Sequence, residues 1–247
     1  RWGRLVTVNG DAHKEMVVRP GERIRLRLAN TSNGRVYRPD FSGLQPRIIA
    51  VDGMYTREPL RAGGFELAPG NRMDLDITIP ANASNRTFQI VDRFTRRPFT
   101  LATVRVEGAP VHTPTFSPPS NPRVPTWSPA SSLPTDITYV LDARRGGEHG
   151  IQWTINGVPW GEHTVTELPH GAWTRVRFQN DSDRLHPIHV HGQFFKVIAK
   201  NWQPVDEPFF RDTVLLHGRE TIDVGMVPLD WGRWMMHCHI LEHAEAG

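Results

Sequence analysis

Cysteine is almost missing from this chain, for Cys238 is the only one in 247 residues. A single thiol excludes an intrachain disulfide framework and a multi-cysteine zinc knuckle. Cys238 is left as a buried bystander or as a reactive or metal-binding centre. No apolar run approaches the roughly 18 residues that cross a bilayer, so no membrane span is expected. Charge of one sign is lacking as well: 29 basic and 26 acidic residues leave a net +3. The arginines are scattered along strand-like segments instead of clustered, which argues against a nucleic-acid partner. Sustained helical periodicity is also absent.

What is present is alternation. Arg23-Ile24-Arg25-Leu26-Arg27-Leu28, Met73 to Ile79 and Thr174 to Phe178 alternate apolar with polar residues. Period two gives a strand one buried and one wet face. Pro20-Gly21, Asp52-Gly53, Pro69-Gly70 and Asn156-Gly157 punctuate the runs as turns. Short strands with turn chemistry between them predict an all-β chain of antiparallel sandwiches.

Eight prolines fall in the 25 residues from Pro110 to Pro134. Proline removes ladder donors and stiffens the chain, so this stretch reads as an extended connector. The expected organisation is a domain over 1–108, a Pro-rich linker over 109–135 and a second domain over 136–247. The two halves resemble each other. Val8-Asn9-Gly10, Pro20-Gly21, Ala29-Asn30 and Gly43 recur in order as Ile155-Asn156-Gly157, Pro169-His170-Gly171, Gln179-Asn180 and Gly192. A duplicated sandwich follows.

The duplication supplies an internal control for the twelve histidines. Where the second half reads His186-Pro187-Ile188-His189-Val190-His191-Gly192, the first reads Tyr37-Arg38-Pro39-Asp40-Phe41-Ser42-Gly43. Trp234-Met235-Met236-His237-Cys238-His239 has Phe88-Gln89-Ile90-Val91-Asp92 as its counterpart. The scaffold persists while the histidines and the cysteine vanish, so the fold does not need them. On a strand, residues i and i+2 share a face about 6.5–7 Å apart. His189 pairs in this way with His191, and His237 with His239, while Cys238 points to the opposite side. Imidazole suits Cu, Zn, Fe and Ni, whereas a thiolate with two histidines is the blue-copper arrangement. His186 and His243 lie close enough in sequence to swing to the thiolate side.

These two histidine runs resemble the third and fourth copper-binding motifs of multicopper oxidases, the laccase-like family of cupredoxin repeats. The resemblance covers the whole chain and implies two Greek-key cupredoxin β-sandwiches, the first copper-free. It implies that His186, Cys238 and His243 hold a type 1 copper. His189 would bind a type 2 copper, and His191, His237 and His239 the type 3 pair. Cys238, His237 and His239 would then be the catalytic path. One electron at a time would leave a small reducing substrate (a phenol, an amine or a low-valent metal ion), and O2 would become water at a trinuclear cluster. The family supplies further His-X-His pairs from an N-terminal domain, and none stands here: His13, His112, His149, His163, His170 and His217 have no histidine neighbours. The resemblance therefore implies a fragment, inactive alone, whose cluster is completed by an N-terminal cupredoxin domain or another chain. A periplasmic or secreted location is the family expectation.

Three other readings compete with this one. A blue-copper electron-transfer or copper-carrying protein has no use for the histidines flanking Cys238. A two-domain, nitrite-reductase-like enzyme is disfavoured by that same triplet and by the copper-free first copy. A structural role for a metal-free fragment is the third. The tryptophans of the second half read as core or rim packing, and Asp206 and Glu207 as a solvated turn with a lesser prospect of orienting a donor near His243.

Overall fold

The computed structural model describes residues 5–119, 137–146 and 150–246. The chain divides into two compact units, Arg1–Ser120 and Asn121–Gly247.

In the first unit the strands are β1 (Lys14–Val18), β2 (Arg23–Ala29), β3 (Pro39–Asp40), β4 (Arg47–Val51), β5 (Met54–Arg61), β6 (Arg72–Thr78), β7 (Thr87–Asp92) and β8 (Phe99–Val106). They form two four-stranded sheets in the orders β1-β8-β7-β3 and β2-β6-β4-β5. The alternating residues behave as their period dictates. Met73, Leu75 and Ile77 from one sheet and Phe88, Ile90, Ala102 and Val104 from the other are buried. The opposite face of β6 is made tolerable by ion pairs. Buried Asp76 accepts from Arg23 Nε at 2.6 Å and from Arg47 Nη2 at 2.5 Å. These contacts hold its carboxyl below the ordinary value despite burial.

The described part of the proline-rich stretch does not stand free of this unit. Val111 N–H donates to Pro20 O at 2.9 Å, Thr113 Oγ1 donates to Gly21 O at 2.7 Å, and Phe116 lies under the Arg23 guanidinium at 4.4 Å. Of the linker expected over 109–135, residues 120–135 fall outside the described residues.

The second unit contains β9 (Ile137–Arg145), β10 (Ile151–Ile155), β11 (Thr174–Asn180), β12 (His186–Val190), β13 (Phe195–Lys200), β14 (Gln203–Pro204), β15 (Thr213–Leu216), β16 (Thr221–Met226), β17 (Met236–Cys238) and the short helix α1 (Leu241–Glu245). One sheet runs β10-β9-β11-β16-β13-β14 and the other β15-β12-β17. Leu141, Val176, Phe178, Val197, Ile222 and Val224 of the first meet Ile188, Val190, Val214 and Leu216 of the second in one core. Each unit is thus a cupredoxin-like β-sandwich. No described helix is long and apolar enough to cross a membrane. Helix α1 is the element that strand periodicity does not anticipate.

The repeat seen in sequence is a repeat in space. Asn9-Gly10 and Asn156-Gly157 both take positive φ, at 52° and 86° and at 53° and 80°, as a two-residue primed hairpin turn requires. Asn30 Oδ1 accepts from Ser32 N–H at 3.0 Å, and Asn180 Oδ1 accepts from Ser182 N–H at the same 3.0 Å. In the first unit Pro39 pairs with Asp92 and Asp40 with Val91. In the second, Ile188 pairs with Cys238 and His189 with His237.

Candidate metal centre

β12 and β17 are antiparallel neighbours, so their side chains alternate between the sandwich interior and the outer face. Cys238 packs against the core cluster, whereas His189 and His237, one residue out of phase with it, face the other way. The sequence-predicted ligands therefore separate into two groups on opposite sides of one strand pair.

On the interior side, one donor atom from each of His186, Cys238 and His243 lies within 4.8 Å of the others. His186 opens β12, Cys238 ends β17 and His243 sits on α1. Cys238 Sγ is 3.5 Å from His243 Nδ1, and the two imidazole centroids are 4.8 Å apart. Ser182 Oγ is 3.0 Å from His186 Nε2, which leaves Nδ1 as that ring's open nitrogen. Burial sets the protonation of all three groups. It lowers His186 to about 4, lowers His243 to about 3 with help from His186, and pushes the Cys238 thiol up to about 12. The group is thus neutral and lacks the positive charge that would stabilise a thiolate. A soft cation held by two imidazoles and one sulfur supplies that charge, and this donor set is the trigonal blue-copper one. The residues fit copper.

On the outer face, four imidazoles crowd together. The centroids of His189 and His191 are 4.5 Å apart, those of His189 and His237 5.6 Å, and those of His237 and His239 5.5 Å. His191 Nε2 and His237 Nε2 approach to 3.0 Å. Two ring nitrogens that close need a shared proton or a cation between them. Burial first, then the neighbouring imidazoles, lowers the pKa of both His191 and His239. His237 Nδ1 is 3.0 Å from the Cys238 carbonyl oxygen. His189 Nδ1 is 3.0 Å from Thr213 Oγ1 and 3.1 Å from Asp212 O, with Asp212 Oδ1 at 3.3 Å. A neighbour that engages Nδ1 fixes the ring's tautomer and frees Nε2 for a metal.

The seven candidate ligands were named from the sequence, but the residues that contact them were not. Ser182, Asp212 and Thr213 carried no motif of their own. A signal did exist for Ser182, whose Asn-X-Ser turn recurs as Asn30-Thr31-Ser32. The tryptophans prove to be rim more than core, since Trp160, Trp202, Trp231 and Trp234 are exposed. Asp206 is exposed, with Lys196 Nζ 3.7 Å from its carboxylate. Glu207 is not, for it accepts from Val197 N–H at 3.2 Å and from Arg211 Nη2 at 2.5 Å. His170 stacks on Trp231 with centroids 4.2 Å apart.

Paired sandwiches with a buried His–Cys–His group define a copper protein of the cupredoxin type. Comparison with known proteins narrows this. Two family models, both described as multicopper oxidase, match residues 4–109 and 132–247, and the chain belongs to the multicopper oxidase family. It is 26% identical to the multicopper oxidase MmcO of Mycobacterium tuberculosis, over 93% of this chain and 46% of that protein. It is 28% identical to Laccase-2 of Podospora anserina, over 92% of this chain and 47% of that one. Among solved structures it resembles the multi-copper oxidase of Pseudomonas thermotolerans, with a TM-score of 0.80, 30% identity, and coverage of 99% of this chain and 58% of that one. The chain spans about half the length of the curated relatives it matches.

Proposed function

We propose that residues 136–247 carry the type 1 copper ligands and part of a trinuclear cluster, and that 1–108 form a copper-free companion domain. In this reading His186, Cys238 and His243 hold the type 1 ion, His189 the type 2 ion, and His191, His237 and His239 the type 3 pair. Copper bound at these positions would supply one-electron oxidation of a small reducing substrate on the interior side and reduction of O2 to water on the outer side.

The protein's own part is to link and orient the two groups. The observation that carries the proposal is that Cys238 belongs to one group while the residues bonded to it on either side, His237 and His239, belong to the other. The connection between them is therefore covalent, and His237 Nδ1 closes back on the Cys238 carbonyl at 3.0 Å. Thr213 and Asp212 hold His189 with Nε2 turned toward the cluster. Burial keeps all three interior donors neutral until a cation arrives.

Four histidines from one sandwich face cannot enclose three metal ions, so the remaining ligands belong to an N-terminal cupredoxin domain outside these residues or to another chain. A copper carrier would need only the interior group, and the outer four histidines speak against that role. A periplasmic or secreted setting is proposed with this reading. The test is oxygen uptake with a phenolic donor by the copper-loaded chain, with and without a supplied N-terminal cupredoxin domain. Uptake that needs both parts supports the proposal. Blue absorption without uptake in the complete assembly would reduce it to a carrier.

A further inference from the structure

We propose, resting on the copper reading above, that Trp153 is a positioning residue for the interior centre: its indole and its backbone together hold His243 in ligating orientation. Trp153 lies on β10, the edge of its sheet. Its indole stacks on the His243 imidazole with centroids 3.6 Å apart and planes 27° off parallel. The same indole meets His186 edge-on at 5.3 Å. One side chain therefore touches both histidines of the group.

Helix α1 explains why such a clamp is needed. It has five residues, and its N-terminus has no side-chain cap. A helix this short is not stable on its own propensity. His243 is its single buried residue, while Leu241 at its start is 51% exposed. The ligand is thus also the helix's anchor, and the indole is the surface on which it rests. The backbone adds a second tie: Trp153 N–H, on the free edge of β10, donates to Ala246 O just beyond the helix at 3.3 Å. With the ring plane fixed by the stack, His243 Nδ1 is held 3.5 Å from the Cys238 sulfur. A ligand ordered before the metal arrives costs less to engage, so affinity depends on the clamp.

The test compares the full chain carrying Trp153→Leu, which keeps apolar bulk without a ring plane, with Trp153→Phe, which keeps a plane. Cu(II) affinity is measured by competition with a chelator, and the Cu(II) hyperfine splitting is read by electron paramagnetic resonance. Trp153→Leu is expected to weaken Cu(II) binding roughly tenfold or more, the range found when supports of metal ligands are removed, and to change the hyperfine splitting. Trp153→Phe should recover most of both. Should Trp153→Leu fail to fold by circular dichroism, Trp153→Met takes its place in the same comparison. Unchanged affinity and splitting in the non-planar variant, or equal losses in the planar and non-planar ones, would overturn the clamp. A wild-type chain that gives no thiolate–Cu(II) absorption refutes the copper centre itself. A coloured wild type indistinguishable from Trp153→Leu refutes only the role of Trp153.

Discussion

Asp92 occupies in the first unit the ladder position that Cys238 occupies in the second: Asp92 pairs with Pro39 as Cys238 pairs with Ile188. Tyr37 stands likewise for His186, two residues before the paired Pro39 as His186 is two before Ile188. The same backbone thus carries a copper-type centre in one copy and a polar knot in the other. Asp92 is fully buried, and its Oδ1 accepts from the backbone N–H groups of Arg38 at 2.8 Å and Phe94 at 3.2 Å.

Asp92→Ala would strand those two donors. The expected cost is about 1–3 kcal/mol, the penalty for a buried polar group left without its partner. Urea denaturation followed on the first unit checks it. Copper binding in the second unit should not change, because the ligands belong to the other copy.

Thr213→Val removes the hydroxyl 3.0 Å from His189 Nδ1 while conserving shape. The expected loss is roughly tenfold or more in metal affinity at the outer cluster, with the thiolate absorption of the interior centre untouched. Copper counting against chelator concentration in the complete assembly separates the two sites. An equal loss at both would mean that Thr213 supports the strand and not the ring.

The metal-free chain should have a pH-dependent stability set by its interior ligands. The imidazole values fall from 6.5 to about 4 for His186 and about 3 for His243. Protons therefore bind the unfolded chain first, and stability present above pH 6.5 is lost as pH falls toward 4 and then 3. The thiol moves the opposite way, from 9.0 to about 12, so stability is lost as pH rises from 9 toward 12. Between these windows the three groups contribute no slope. Melting temperatures of chelator-treated protein across pH measure both arms, and Cys238→Ala should flatten the alkaline one.

The candidate ligands were legible in the sequence because histidine at strand spacing is rare and the sister copy lacked it. Alternation placed Cys238 and its neighbours on opposite faces, and the pairing of β12 with β17 keeps them there. The supports were not legible for a physical reason. Thr213 meets His189 across the β12–β15 ladder, and Asp212 comes with it, so the contact depends on register and not on local pattern. Trp153 reaches His243 from an edge strand ninety positions earlier, a contact no periodicity encodes. Helix α1 is too short to leave a helical signature, and the buried histidine that fixes it reads in sequence only as a ligand.

The most direct measurement is the visible spectrum of the chain on titration with Cu(II), run beside Cys238→Ser. The wild type should develop one intense blue band saturating at one copper per chain, absent from the serine variant. A band that survives loss of sulfur 238, or a wild type that binds copper without colour, would contradict the two-sided arrangement on which the proposed chemistry rests.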